Sequence, residues 1–217
     1  MTATIITIFD YGAGNMHSLV KALGAGDEVE VRLQSDPIAA LDTDMLVLPG
    51  VGAFSNAAAR LASGAGAMRN AIVAGLPTLC ICLGMQLLFD ASDEGPGAGL
   101  GVIPGRVRRL RARSVPQIGW NEVESGDHRQ QMDSRFRGND GAFASMTTCV
   151  PHIAYFANSY VCEPDNEDCI VAYSTHERDR FASVVTVANT VGVQFHPEKS
   201  SQAGVRFVRD FVEGVIR

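Results

Sequence analysis

Short apolar runs alternate with amphipathic stretches through the first half of this chain, and no other feature of the sequence limits its fold as strongly. Ile5-Ile6-Thr7-Ile8-Phe9 is followed by Met16, Leu19, Val20 and Leu23 at helical spacing, which predicts a strand and then a helix. Residues 29–33 predict a second strand, and Asp36-Pro37 opens a short helix with an N-cap and a proline in the first turn. Met45-Leu46-Val47-Leu48 reads as a third strand ended by Pro49-Gly50-Val51-Gly52, and residues 53–62 as the helix after it. A further helix around 68–73 leads to Gly75-Leu76-Pro77 and to a buried fourth strand, Thr78-Leu79-Cys80-Ile81-Cys82. Repeated strand-helix alternation implies a parallel sheet covered on both faces.

The second half is richer in strands. They are expected over 101–110, 117–123, 153–161 and 170–173, with a hairpin over 181–195 that turns near Asn189. Val205, Val208, Phe211, Val212 and Val215 then mark a last helix over 202–215. The expected class is therefore α/β, a mostly parallel central sheet flanked by helices, with additional antiparallel strands in the C-terminal half. At 217 residues and 46% apolar composition the chain can bury one large core, so a single domain over 1–217 is expected. Residues 126–150 stand apart, polar and glycine-bearing without periodicity, and read as an irregular loop insertion.

A net charge of −6 and a pI near 5.3 argue against a nucleic-acid ligand. The concentrated basic stretch, residues 106–113, alternates arginines with apolar residues, which predicts a strand carrying its charges mostly on one solvated side. No run approaches the roughly 18 apolar residues of a spanning helix, and the first residues lack the basic lead of a signal peptide. A cytoplasmic protein without a membrane partner is expected. Cysteines number 5, an odd count in a chain large enough to need no staples, which disfavours a disulfide framework.

Chemistry concentrates in two places. Cys82 ends a buried strand and is followed by Leu83-Gly84 and the helical pattern Met85-Gln86-Leu87-Leu88-Phe89, so it should stand on a sharp strand-to-helix turn. Helix-start N–H groups there favour thiolate over thiol, and the Leu83 amide is placed to meet an oxyanion. A thiolate nucleophile needs a base that later protonates the leaving amine, and the base needs an orienting group. His196-Pro197-Glu198, closing the apolar run Val193-Gln194-Phe195, supplies both, because in extended chain His196 and Glu198 project to one side. His17, His128, His152 and His176 have no such apparatus beside them.

Together, Cys82-Leu83-Gly84-Met85-Gln86 and His196-Pro197-Glu198 resemble the triad, or class I, glutamine amidotransferases. Phe9-Asp10-Tyr11-Gly12-Ala13-Gly14-Asn15, residues 48–54, Ile118-Gly119-Trp120-Asn121 and residues 193–200 narrow the resemblance to the glutaminase subunit of imidazole glycerol phosphate synthase. The resemblance implies a flavodoxin-like fold, L-glutamine as substrate, a cysteinyl thioester intermediate, no cofactor or metal, and a heterodimer partner in the form of a barrel-shaped synthase subunit. It also implies a catalytic set of Cys82, His196 and Glu198, and oxyanion contacts from Leu83 and the Gly50-Val51-Gly52 loop. Glutamine contacts are implied at Gln86, Glu94, Ser159 and Tyr160, and partner contacts at Asn15, Trp120, Tyr155 and Lys199. Gln117 and Asn158 depart from the family pattern, standing where histidine is common.

Other readings compete. A glutaminase subunit of another amidotransferase and a stand-alone γ-glutamyl cysteine hydrolase share the triad. Gly12-Ala13-Gly14 after the first strand could start a dinucleotide fingerprint, but His17 stands in place of its third glycine. Cys80-Ile81-Cys82 has no paired partner at zinc-ligand spacing.

Overall fold

The computed structural model describes residues 3–12, 16–24, 28–126 and 150–216. The expected insertion at 126–150, apart from its flanking residues, and Asn15 lie outside them.

The strands β1 (Thr4–Phe9), β2 (Val29–Gln34), β3 (Met45–Leu48), β4 (Thr78–Ile81), β8 (Glu124–Ser125), β11 (Ile170–His176), β12 (Asp179–Val187) and β13 (Thr190–Val193) form one sheet in the order β2-β1-β3-β4-β13-β12-β11-β8. The β2, β1, β3, β4 and β13 neighbours pair parallel, while β13 to β12, β12 to β11 and β11 to β8 pair antiparallel. This is the α/β class expected from the alternation, with the antiparallel additions drawn from the C-terminal half.

Helices α1 (His17–Leu23), α2 (Phe54–Leu61), α3 (Ala65–Val73), α4 (Leu83–Gln86) and α5 (Ser201–Ile216) accompany the sheet. Successive residues of β3 serve opposite faces: Met45 and Val47 pack with Leu19, Leu23, Phe207 and Phe211, while Leu46 and Leu48 pack with Phe54, Leu61, Met68 and Ile72. Because both faces are covered, β3 and β4 are buried at every position, which explains their uninterrupted apolar sequence. Each such side chain contributes about 1.5–3 kcal/mol of transfer free energy.

Several boundaries differ from expectation for identifiable reasons. The short helix after Asp36-Pro37 is a 3₁₀ turn, Ala39–Leu41, whose entry is held by Asp36 Oδ1 accepting from the Ile38 and Ala39 amides at 2.8 and 2.9 Å. The expected strand over 101–110 begins only with β6 (Gly105–Arg109), because residues 102 and 103 donate their amides to Leu88 O at 2.8 and 3.0 Å. The expected strand over 153–161 is two, β9 (Ile153–Asn158) and β10 (Tyr160–Pro164). Ser159 separates them: β9 pairs with β7 (Gln117–Glu122), whereas β10 pairs with β6, which also carries β5 (Ala91–Ser92). The hairpin closes earlier than expected, β13 ending at Val193.

The basic stretch also departs from a solvated face. Arg108 is 7% exposed and forks onto both oxygens of Asp179 at 2.7 and 2.8 Å, with Glu163 at 2.9 Å from its Nε. Arg108 and Arg109 are adjacent, so a period of two cannot send both to solvent.

Candidate active site

The carboxyl ends of β3, β4 and β13 lie side by side, the edge where an open parallel sheet carries its ligands. Loop 49–52 leaves β3, Cys82 leaves β4 and His196 follows β13. The sequence thus delivers three separate motifs to one edge through strand order alone.

Cys82 stands in a left-handed conformation, φ 46° and ψ −99°, between β4 and α4. For a non-glycine residue this costs about 1–3 kcal/mol and must be imposed by its surroundings. The imposition is visible: Cys82 N donates to Val193 O at 2.6 Å, and Gln86 N donates back to Cys82 O at 3.1 Å. Gly84 is required for close approach, since a Cβ there would stand 2.0 Å from Leu48 O. The helix expected through Phe89 is a single turn, because the carbonyls of Leu87 and Leu88 are taken by the amides of Leu100 and Val102 at 2.7 and 2.8 Å. The turn's unpaired amides, rather than a long dipole, therefore sit next to the sulfur.

His196 is buried at 3% exposure, and its Nδ1 lies 2.9 Å from Glu198 Oε1. The pair meets, but not through extended chain: Glu198 lies on a 3₁₀ turn, Pro197–Lys199, which curls it back toward the ring. Burial by itself would pull the imidazole down; hydrogen bonds and charge from Cys82 and Glu198 outweigh burial and push it up to about 10. Nδ1–H to the carboxylate leaves Nε2 for the sulfur. Gly50 packs against both groups, since a Cβ on it would approach Cys82 Cβ at 2.9 Å and His196 Cε1 at 3.0 Å. Gly50 of the 50–52 loop thus packs against Cys82, and Leu83 follows Cys82 at the start of α4.

Of the expected glutamine contacts, Gln86 and Tyr160 bond to each other, while Ser159 and Glu94 are engaged with other residues. Gln86 Nε2 donates to Tyr160 O at 3.2 Å, and Ser159 O accepts from Leu110 N at 2.9 Å. Glu94 Oε2 accepts the Phe54 amide at 2.9 Å, capping α2, whose N-cap Ala53 has no side-chain acceptor. Gln117 and Asn158 are register partners at the end of the β7–β9 ladder. Both are buried, and Gln117 Oε1 and Asn158 Oδ1 have no hydrogen-bond partner among the described residues.

The glutamine amidotransferase class-I family matches residues 7–215. The chain belongs to that family. As a class-I glutamine amidotransferase it resembles curated relatives described as imidazole glycerol phosphate synthase subunit HisH. That of Symbiobacterium thermophilum is 43% identical over 95% of this chain and 92% of the relative; that of Gloeobacter violaceus is 39% identical over 96% and 88%. Among solved structures, PurLQS from Thermotoga maritima superposes with a TM-score of 0.66 at 16% identity, covering 100% of this chain and 98% of its own. A glutamine amidotransferase from Thermotoga maritima gives 0.59 at 15%, covering 98% and 82%. At such identities these two likenesses speak for the fold alone, in agreement with the sheet order.

Across the sheet edge from the amidotransferase elbow, one face of the β7–β9 ribbon is apolar and open. Trp120 is 56% exposed and meets Tyr155 edge to face at 6.1 Å, with exposed Ile118 and Ile153 beside them. The ribbon touches the histidine directly, for His196 N donates to Tyr155 O at 2.8 Å and Tyr155 N to Ser200 Oγ at 2.9 Å. Lys199 is exposed next to this contact. The residue that sequence reasoning passed over is Gln194, whose Nε2 lies 3.5 Å from Cys82 Sγ. Its signal was available: a glutamine inside the otherwise apolar run of residues 191–195.

Proposed function

We propose that Cys82, His196 and Glu198 hydrolyse L-glutamine to glutamate and ammonia, and that this chain is the glutaminase half of an imidazole glycerol phosphate synthase serving histidine biosynthesis. The observation that carries the reading is the strained Cys82 beside a buried, carboxylate-held imidazole. The His196 imidazole, raised by Cys82 and Glu198, holds the proton that the sulfur gives up when it attacks. The sulfur attacks the side-chain amide carbon, and the oxyanion meets the Leu83 amide and an amide of the Gly50-Val51-Gly52 loop. His196 gives its proton to the leaving nitrogen, ammonia departs, and a γ-glutamyl thioester remains. Neutral His196 then takes a proton from water, whose oxygen attacks the thioester. Collapse expels the thiolate, leaves His196 protonated and releases glutamate. Gln86, Glu94 and the Ser159-Tyr160 backbone would hold the amino acid.

The named relatives are subunits, and the face carrying exposed Trp120, Ile118 and Ile153 with half-buried Tyr155 supports a surface for the synthase partner, with exposed Lys199 near it; Asn15, expected to share in it, lies outside the described residues. That partner is a barrel-shaped subunit that consumes the ammonia and forms imidazole glycerol phosphate and aminoimidazole carboxamide ribotide, and the reaction runs in the cytoplasm without nucleic acid or membrane. Among the described residues no helix is long and apolar enough to cross a membrane. Glutamate release measured with and without the synthase subunit tests the reading. Low hydrolysis alone and strong stimulation by the liganded partner are expected; equal rates in both would overturn it in favour of a stand-alone hydrolase.

A further inference from the structure

We propose that Gln194 donates a hydrogen bond to the Cys82 sulfur and acts as a second support of the thiolate, independent of His196. The inference rests on Cys82 being the reacting thiol and adds a group that the triad does not contain.

The geometry begins with the backbone. Cys82 N to Val193 O at 2.6 Å locks the residue after β13 beside the elbow, and Gln194 N is itself fixed to Ser183 O at 2.9 Å. From that anchored position the Gln194 side chain, 0% exposed, brings Nε2 to 3.5 Å from Cys82 Sγ. Its other end is not satisfied: Oε1 is buried and has no hydrogen-bond partner among the described residues.

A buried carboxamide with an orphaned oxygen is costly, and an apolar side chain of the same volume would avoid the cost. Phe195 and Val193, its neighbours in sequence, are apolar and wholly buried, so the site does not demand polarity for packing. What remains is the contact with sulfur. A neutral thiol is a weak acceptor, whereas a thiolate is a charged one, so an N–H aimed at sulfur is worth most in the anionic state. The reverse orientation, Oε1 against a thiolate, would be repulsive. The bond should weaken when sulfur becomes a thioester and strengthen when the thiolate is expelled, so it favours loss of the thiol proton and departure of the sulfur as leaving group.

The other titratable groups near Cys82 are His196 after β13, with Glu198 behind it, and Cys162 on β10, a buried thiol that feels the Cys82 charge. His196 carries its proton on the imidazole and gives it up during the cycle; the Gln194 amide keeps its proton throughout. The sulfur therefore retains one donor when the imidazole is neutral, during the water attack.

The test is the pH dependence of Cys82 alkylation by iodoacetamide on the full chain, with the Cys82 peptide resolved by mass from the other thiols. Gln194→Leu is expected to move the onset of alkylation up by about one pH unit, so that labelling below the wild-type onset falls about tenfold. Gln194→Glu, of the same shape but acidic, should move it further. In the complex with the synthase subunit, kcat for glutamine should fall about tenfold with KM little changed. If Gln194→Leu does not fold, Gln194→Met takes its place in the same assay. A folded apolar variant with the wild-type alkylation onset overturns the proposal while leaving the glutaminase reading intact. Glutamine hydrolysis that survives Cys82→Ser would overturn that reading instead, and the alkylation result would still stand.

Discussion

Two buried charged clusters lie in this molecule, and they are built to opposite specifications. Around Asp179 every oxygen is used: Arg108 takes both, the Arg111 amide adds a contact at 2.7 Å, and Glu163 takes the remaining edge of the guanidinium at 2.9 Å. Around Cys82 polar capacity is left over, with Glu198 Oε2 and Gln194 Oε1 buried without partners among the described residues and Cys82 itself in a strained backbone. The first cluster joins β6 and β10 to β12. The second stores strain and unsatisfied polarity at the proposed site, which is how a site is expected to differ from a strut at the same depth.

The largest expected effect breaks the second cluster. Cys82→Ser should lower glutamine hydrolysis by about 10⁴-fold or more, while added ammonia still supports synthesis by the partner and thermal stability stays close to wild type, because serine keeps the same strained backbone. Retained glutaminase activity, followed as glutamate release, would remove the assignment.

Glu198→Gln is the next. Without the carboxylate the imidazole loses one of the two groups that raise it, and kcat should drop roughly a hundredfold. In the wild type His196 is raised to about 10, so its charged form adds stability fully present below the ordinary histidine value near 6.5 and lost as pH rises through about 10. The alkaline limb of the rate profile should move to lower pH in Glu198→Gln; an unmoved limb in a pH-rate series would deny the coupling.

In the first cluster the readout is stability. Asp179→Ala leaves Arg108 buried without its main partner, and should cost about 3 kcal/mol in denaturant unfolding, whereas the paired replacement Arg108→Met with Asp179→Leu should recover most of it. Burial opposes the Asp179 charge, but the Arg108 hydrogen bonds and the Arg111 amide outweigh it and hold the carboxyl below its usual range. Its contribution is therefore present above the ordinary aspartate value and lost as pH falls through the lowered one. A loss of glutaminase turnover far larger than the unfolded fraction accounts for would make this cluster part of the site and erase the contrast.

The smallest effect probes the face behind His196. Trp120→Ala should weaken association with the synthase partner about tenfold, as removal of an exposed aromatic anchor does, and leave unstimulated hydrolysis unchanged. Titration of the partner against glutamate release measures both.

Residues 78–82, the loop 49–52 and the 196–198 motif pointed to the proposed chemistry ahead of any tertiary structure, because strand burial and elbow residues are local properties. The sheet class was equally legible, through runs such as residues 45–48 that no half-exposed strand would carry. Less legible were the places where two distant segments decide each other. Glu198 reaches His196 through a 3₁₀ turn that simple alternation does not foresee, and the strand over 153–161 divides at Ser159 because its two parts serve different sheets.

What the sequence by itself determined was the inventory: an α/β sheet, a strand-end thiol, a histidine with an acid two residues on, and an arginine-rich strand. Which arginine would be buried was decided by Glu163 and Asp179 reaching Arg108 from β10 and β12, and that Gln194 would touch the sulfur was decided only when β13 was laid parallel to β4. Side-chain partnership across strands depends on register and depth, and neither is encoded by the residues on one strand alone.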